Sequence, residues 1–190
     1  MVIPIDNPES LQGRLLIATP LVGTSCFEKS VVYICSHSKD GAMGVLVNTI
    51  LNDISCSDLL DQLNIKDVVR YLPPIHFGGP VETARGFILH TNDYVTKNTH
   101  VITDQISLTA TVDVLQDIVA GKGPSKSLIA LGHAGWKAGQ LEEEIKGNNW
   151  ICAPASEDVI FGEDNQQKWA MSAKTLGVDL MRYSTVTGHA

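Results

Sequence analysis

The chain has 190 residues, a formal net charge of −7, 44% apolar and 18% charged residues, a balance that excludes a disordered or fibrous chain and suffices for one core without a metal or disulfide staple. Its four cysteines (Cys26, Cys35, Cys56, Cys152) form no Cys-x-x-Cys pair and read as buried thiols in a reducing compartment. No apolar run approaches the roughly 18 residues of a membrane helix, and the start MVIPIDNPES has the pattern of neither a signal nor a transit peptide, so a cytoplasmic location is expected.

Residues 1–10 are expected to form a loosely held arm. Residues 13–20 (GRLLIATP), 31–37 (VVYICSH) and 42–48 (AMGVLVN) are short apolar runs bounded by turn residues, the pattern of buried strands. The last two are joined across 38–41, where Asp40-Gly41 predicts a hairpin. A serine cap, Asp58 in the first turn and Leu59, Leu60 and Leu63 predict a short helix over 57–63. Gly78-Gly79-Pro80 follows a short apolar run, and 86–91 (GFILHT) reads as another strand. Leu108, Val112, Leu115 and Val119 recur at helical spacing between Ser107 and Gly121, predicting a helix over 108–120.

Residues 127–131 (SLIAL) read as a strand entering a glycine-rich segment. Residues 140–146 form an expected two-turn helix, with Leu141 and Ile145 on one face, Lys146 at the C-terminal end and Gly147 as its stop. A strand is expected over 149–153. A helix is expected from Asp164 and Gln167, which form a capping-box-like start, through Leu176. Residues 178–183 are expected to return to a sheet. An early hairpin and later helices point to an α+β protein, with 190 residues in one domain.

Charge is segregated. Residues 140–165 carry seven acids and one base, whereas Lys122, Lys126 and Lys137 stand in 118–141 without an acid. Three lysines are too few for a phosphate-backbone track, and a solvated face is the plain reading. The segment 121–127 lacks the glycines of a phosphate loop, and neither a dinucleotide fingerprint nor a nucleophile elbow is present. Gly78 and Gly79 can serve as a tight turn or let backbone N–H groups approach an anion.

Four histidines (His37, His76, His90, His133) fall near strand ends, but no His-x-x-x-His pair supports a metal, and no cofactor motif is found. Cys35 sits two residues before His37, yet within VVYICSH it reads as a core residue. Trp136 and Trp150 flank the acidic helix, either as an aromatic wall for a ligand or as packing. Glu142 and Glu144, two apart on a helix, face different ways and make a poor acid–base dyad, whereas Glu142 and Lys146 suit an i, i+4 surface pair.

In order, GRLLIATP, FEKSVVYICSH, DGAMGVLVN, GGPV, RGFILHT, ALGHAGWKAGQLEEEIKGNNW and the terminal GHA resemble the YqgE/AlgH family, a likeness spanning residues 11–190. The resemblance implies a single cytosolic α+β domain whose bent, mixed or antiparallel sheet folds towards a pseudo-barrel with helices outside. It also implies a role in transcriptional regulation, without an established catalytic set. Two positions depart from the family pattern: His133 stands where a tyrosine is usual, and Thr49-Ile50 follow Asn48 in place of a basic residue and proline.

Two readings follow. One is a non-enzymatic regulatory or binding protein acting on a protein or small-molecule partner, with direct nucleic-acid binding disfavoured by the charge. The other is an enzyme or small-anion binder built from the Gly78-Gly79 turn and the 132–150 segment. Gly78, Gly79, His133, Trp136, Glu142, Glu144 and Trp150 are the candidate ligand-binding residues, as a surface to be probed.

Overall fold

Alternation of apolar side chains lays down the first strands. In β1 (Arg14–Ala18), Leu15 and Ile17 join one apolar cluster while Leu16 and Ala18 join another, so both faces of the strand are covered. The same division runs through β2 (Val31–Ser38), where Tyr33 and Cys35 oppose Val32 and Ile34. The computed structural model describes residues 10–66, 72–177 and 180. The expected N-terminal arm, apart from Ser10, and most of the expected strand over 178–183 lie outside the described residues.

The remaining elements are β3 (Gly41–Leu46), α1 (Cys56–Gln62), β4 (Ile75–Phe77), β5 (Val81–Thr91), β6 (Thr99–Val101), β7 (Ile106–Thr109) and α2 (Val112–Val119). They are followed by β8 (Ser127–Lys137), α3 (Gln140–Lys146), β9 (Trp150–Pro154), α4 (Glu157–Phe161) and α5 (Lys168–Thr175). The strands form one sheet in the order β6-β7-β5-β8-β3-β2-β1-β9, with β4 added beside β8. All described pairs are antiparallel except β4 with β8. Ile106 of β7 and Ala153 of β9, far apart in strand order, belong to the same apolar cluster. The sheet is curled into a half-barrel with helices packed against it, and the fold class is α+β.

The curl turns on β8. One edge of β8 pairs with β5; the other pairs first with β4, at Ile129–Leu131, and then with β3, at Ala134–Lys137. Gly132, with φ of 74°, marks the change of partner. There Gly78 bridges the gap: its N–H donates to Leu131 O at 2.8 Å and its carbonyl accepts from Leu46 N at 2.9 Å. A Cβ on Gly78 would stand 2.2 Å from Gly132 O, and one on Gly79 2.2 Å from the His133 carbonyl carbon. These two glycines are where one backbone passes against another, and the Gly78 N–H is spent inside the sheet.

Several sequence expectations shift. The helix expected over 108–120 is a strand up to Thr109 and a helix only from Val112. Ser107 is not a helix cap: it is fully buried, bonded to Asn92, and paired with His90 of β5. Cross-strand pairing at Leu108 outweighs its helical spacing. Helix α1 is capped by Ser55, whose capping box with Asp58 starts the helix at Cys56. The 127–131 strand continues through the glycines to Lys137, because the main-chain bonds to β3 carry it on.

At the other end, Gln167 N donates to Asp164 Oδ1 at 3.2 Å, but regular helix begins only at Lys168. Strands β4 and β6 and helix α4 are additions to the sequence reading. Cys35 and Cys56 are buried, whereas Cys152 is half-buried and Cys26 exposed, on the loop before β2.

Replacing Gly79 by alanine is expected to destabilise the fold by about 3 kcal/mol or to prevent folding, since the new methyl meets main chain that cannot yield. Gly86→Ala, at a position with open space within 4 Å, is the control and should leave the urea midpoint nearly unchanged.

Candidate functional site

The segment between β8 and β9 builds the most distinctive polar arrangement of the molecule. Strand β8 ends at Lys137, Gly139 turns the chain with φ of 76°, and α3 runs to the Gly147 cap before Asn148, with φ of 58°, leads into β9. Leu141, 1% exposed, pins α3 to the sheet. This geometry brings Trp136 and Trp150 together, with ring centroids 6.0 Å apart and planes at 80°. Their side chains reach across a sheet in which β3, β2 and β1 separate β8 from β9.

Glu144 stands between the two indoles. Both Nε1–H groups donate to the same oxygen, Oε2, at 2.9 Å from Trp136 and 2.8 Å from Trp150. Gln140 Nε2 donates to the other oxygen at 2.8 Å, while Gln140 Oε1 accepts from Lys137 N at 3.0 Å. The buried rings (7% and 3% exposed) would otherwise hide two unpaired donors, so the carboxylate satisfies what the packing demands. Phe27, from the loop before β2, completes the cluster with its centroid 5.6 Å from Trp150 and its plane at 77°. The three rings, Glu144, Ser25 and Asn149 line a cavity of about 200 Å³.

The other candidates go elsewhere. Glu142 turns to β2, where its Oε1 accepts from His37 Nε2–H at 2.8 Å; the opposite ring nitrogen accepts from Leu11 N at 3.0 Å. The hydrogen-bonded partner of Glu142 is therefore His37, and Lys146 acts only as a nearby charge. A backbone N–H and the His37 ring hold the Glu142 carboxyl below the usual carboxylate range. His133 lies on the β8 face opposite Trp136, edge-on to Phe87 at 5.3 Å, with Nδ1 3.7 Å from Glu82 Oε2. Burial lowers its pKa. The seven candidate residues thus divide into the Trp136–Glu144–Trp150 cluster, the Glu142–His37 pair, and the crossing of Gly78 and Gly79 near His133.

His90 is fully buried, with Nδ1 donating to Thr91 O at 2.9 Å and Nε2 paired with the Thr109 hydroxyl at 2.8 Å; burial lowers its pKa. Cys35 is fully buried in the core, and that burial raises its thiol far above its ordinary range. Among the described residues, no group of three or more His, Cys, Asp or Glu is placed to hold a metal.

A second cavity, of about 240 Å³, escaped the sequence reading. His76 of β4, 4% exposed, donates from Nδ1 to Ile129 O at 3.3 Å and has Asn165 against Nε2 at 3.2 Å. Beside it is Lys168, the first residue of α5 and only 3% exposed. Its Nζ donates to Val47 O at 2.7 Å and Ile160 O at 2.9 Å, which ties α5 and α4 to the end of β3. Burial lowers its pKa to about 8. The one available signal was a basic residue in a first helical turn, where the helix dipole favours acids.

These features define a class: an α+β half-barrel with helices packed on the sheet and an aromatic–carboxylate cluster at the β8–β9 connection. The profile of the AlgH-like family matches residues 15–181, and the chain belongs to this family. A UPF0301 protein of a Bradyrhizobium strain is 45% identical over 189 residues, covering 95% of this chain and 88% of the relative. One from Paracoccus denitrificans is 43% identical, covering 98% and 100% respectively. The solution structure of the AlgH protein from Pseudomonas aeruginosa superposes with a TM-score of 0.77 at 35% identity, covering 99% of this chain and 100% of that one. A Corynebacterium diphtheriae protein shares the fold, with a TM-score of 0.73 at 22% identity over 94% of this chain and 93% of its own. Among the described residues, no helix is long and apolar enough to cross a membrane.

Glu144→Ala is expected to cost about 2–4 kcal/mol in urea unfolding, because two buried indole N–H groups lose their acceptor. Glu144→Gln keeps an acceptor oxygen between the rings but sets its NH₂ against that of Gln140, so it should cost less than Glu144→Ala without being neutral. For Lys168 the sign follows from proton binding. Between its native pKa of about 8 and its ordinary 10.5, the unfolded chain holds a proton that the folded chain has released. The contribution of Lys168 to stability therefore rises with pH across that window and is flat below it. The stability difference between wild type and Lys168→Met, followed by urea titration from pH 7 to 10.5, should widen in favour of wild type.

Proposed function

We propose that this chain is a non-enzymatic binding protein that acts in regulation, with the Trp136–Glu144–Trp150 cavity as its recognition site. The observation carrying this reading is the convergence of two indole N–H groups on one carboxylate oxygen. A carboxylate that already accepts three hydrogen bonds is fixed as an acceptor and poorly placed to take up a substrate proton. The described residues lining the cavity include no histidine, cysteine or lysine to activate Ser25, so its chemistry is that of a surface to be occupied. Aromatic walls with a few fixed polar groups are the usual lining of small-molecule sites, and about 200 Å³ restricts the ligand to a small one.

Regulation by this route works through a ligand or another protein. The net charge of −7 opposes duplex DNA, whose affinity depends on phosphate neutralisation. The cytoplasm is the compartment in which a thiol-bearing chain without a disulfide framework fits best.

The test is a thermal-shift panel of metabolites, nucleotides and metal ions run on wild type and on Ser25→Trp, which blocks the cavity from an exposed position. A true ligand raises the melting temperature of wild type by mass action and leaves the blocked variant unmoved. Hits that shift both proteins equally, or turnover that depends on the cavity, would overturn the reading. So would tight, salt-sensitive retardation of duplex DNA at low salt.

A further inference from the structure

The charge of Glu144 has no cationic partner among the described residues, whose ion pairs are His37–Glu142, Arg85–Glu82, Lys126–Glu157 and His133–Glu82. Its neighbours are neutral donors: two indoles and an amide. Neutral donors stabilise a carboxylate without cancelling its field. The carboxylate lies in the 140–165 segment, which carries a net −6, with Lys137 just before it. Around the carboxylate stand Phe27, Trp136 and Trp150, the outer two each close to perpendicular to Trp150. An aromatic ring carries negative potential on its face, which attracts a cation. A carboxylate and three aromatic side chains thus border one small cavity.

We propose that this cavity binds a small quaternary or fully methylated ammonium ion; the proposal rests on the cavity being the recognition site. Hydrogen bonding distinguishes this class from a primary amine. A carboxylate offers roughly four acceptor positions, and three donors already reach Glu144. An –NH₃⁺ group, with three donors to satisfy, would find one position free on Glu144 and would have to recruit the Asn149 side chain and the Ser25 hydroxyl, which already accepts from Phe27 N. A methylated ammonium has no N–H to satisfy and gains from charge and ring contact alone. Size agrees, since about 200 Å³ accommodates a trimethylammonium head with a short tail.

The probes are choline and its neutral carbon isostere 3,3-dimethylbutan-1-ol, titrated at matched ionic strength while tryptophan fluorescence and melting temperature are followed. Ethanolamine serves as the primary-amine comparison. Choline is expected to give a saturable signal, with the isostere and ethanolamine each at least about tenfold weaker. Glu144→Gln should weaken choline about tenfold and leave the isostere unchanged, and Ser25→Trp should abolish both. Glu144→Gln retains an acceptor for both indoles, so its fold is checked by near-ultraviolet circular dichroism before titration.

Equal affinity for choline and the isostere, both lost in Ser25→Trp, would overturn the cation proposal while leaving the cavity as a binding site. Choline binding that survives Ser25→Trp would overturn both. Absence of any choline signal at tens of millimolar overturns the cation proposal and leaves the cavity to the wider ligand panel.

Discussion

The molecule depends on a close crossing of main chain. Gly78 and Gly79 pass against Gly132 and His133 with no room for a side-chain carbon, and this contact lets β8 exchange β4 for β3 along one edge. A sheet that changed partners without such a bridge would leave main-chain donors and acceptors unpaired in its middle, a cost comparable to several lost hydrogen bonds. Here Leu46, Gly78 and Leu131 close the gap with two bonds. The bend so produced aims the second half of β8, with Trp136, towards α3. The Trp136–Glu144–Trp150 cluster is thus a downstream consequence of glycine geometry some fifty residues earlier in the chain.

The parts of the fold that were legible are those where local and long-range preferences agree. The runs at 31–37 and 140–146 have one dominant period each, bounded by turn residues, and they emerge as β2 and α3 with nearly the expected limits. Residues 108–120 show the opposite case. Leu108 fits the helical spacing of Val112, Leu115 and Val119, but it also pairs with Leu89 and His100, and the sheet claims it. No local pattern reports a partner nineteen residues away. Strand β4, three residues long, is too short to announce itself, and the glycines after Leu131 read as a stop although the pairing with β3 extends the strand.

The candidate residues were legible as types and not as a constellation. Two tryptophans flanking an acidic helix are visible in the sequence; their convergence on a single oxygen is set by the register of β8 against β3 and of β9 against β1. Likewise Glu142 finds His37, 105 residues away, in preference to the lysine one turn along its own helix. Lys168 was invisible because burial of a charge is decided by what packs over it. Helix α4 and the end of β3 supply the two carbonyls that make such burial tolerable.

The Trp136–Glu144–Trp150 link has a mechanical consequence. Among the described residues, strand β9 lies at one end of the strand order and pairs by backbone bonds with β1 alone, the kind of position where a sheet frays first. Its first residue is nevertheless anchored, through one shared oxygen, to a strand from the middle of the sheet. Opening of that edge and loss of the cavity's shape are therefore a single event. An occupant of the cavity would brace the first residue of β9 against β8 at the rim of the half-barrel.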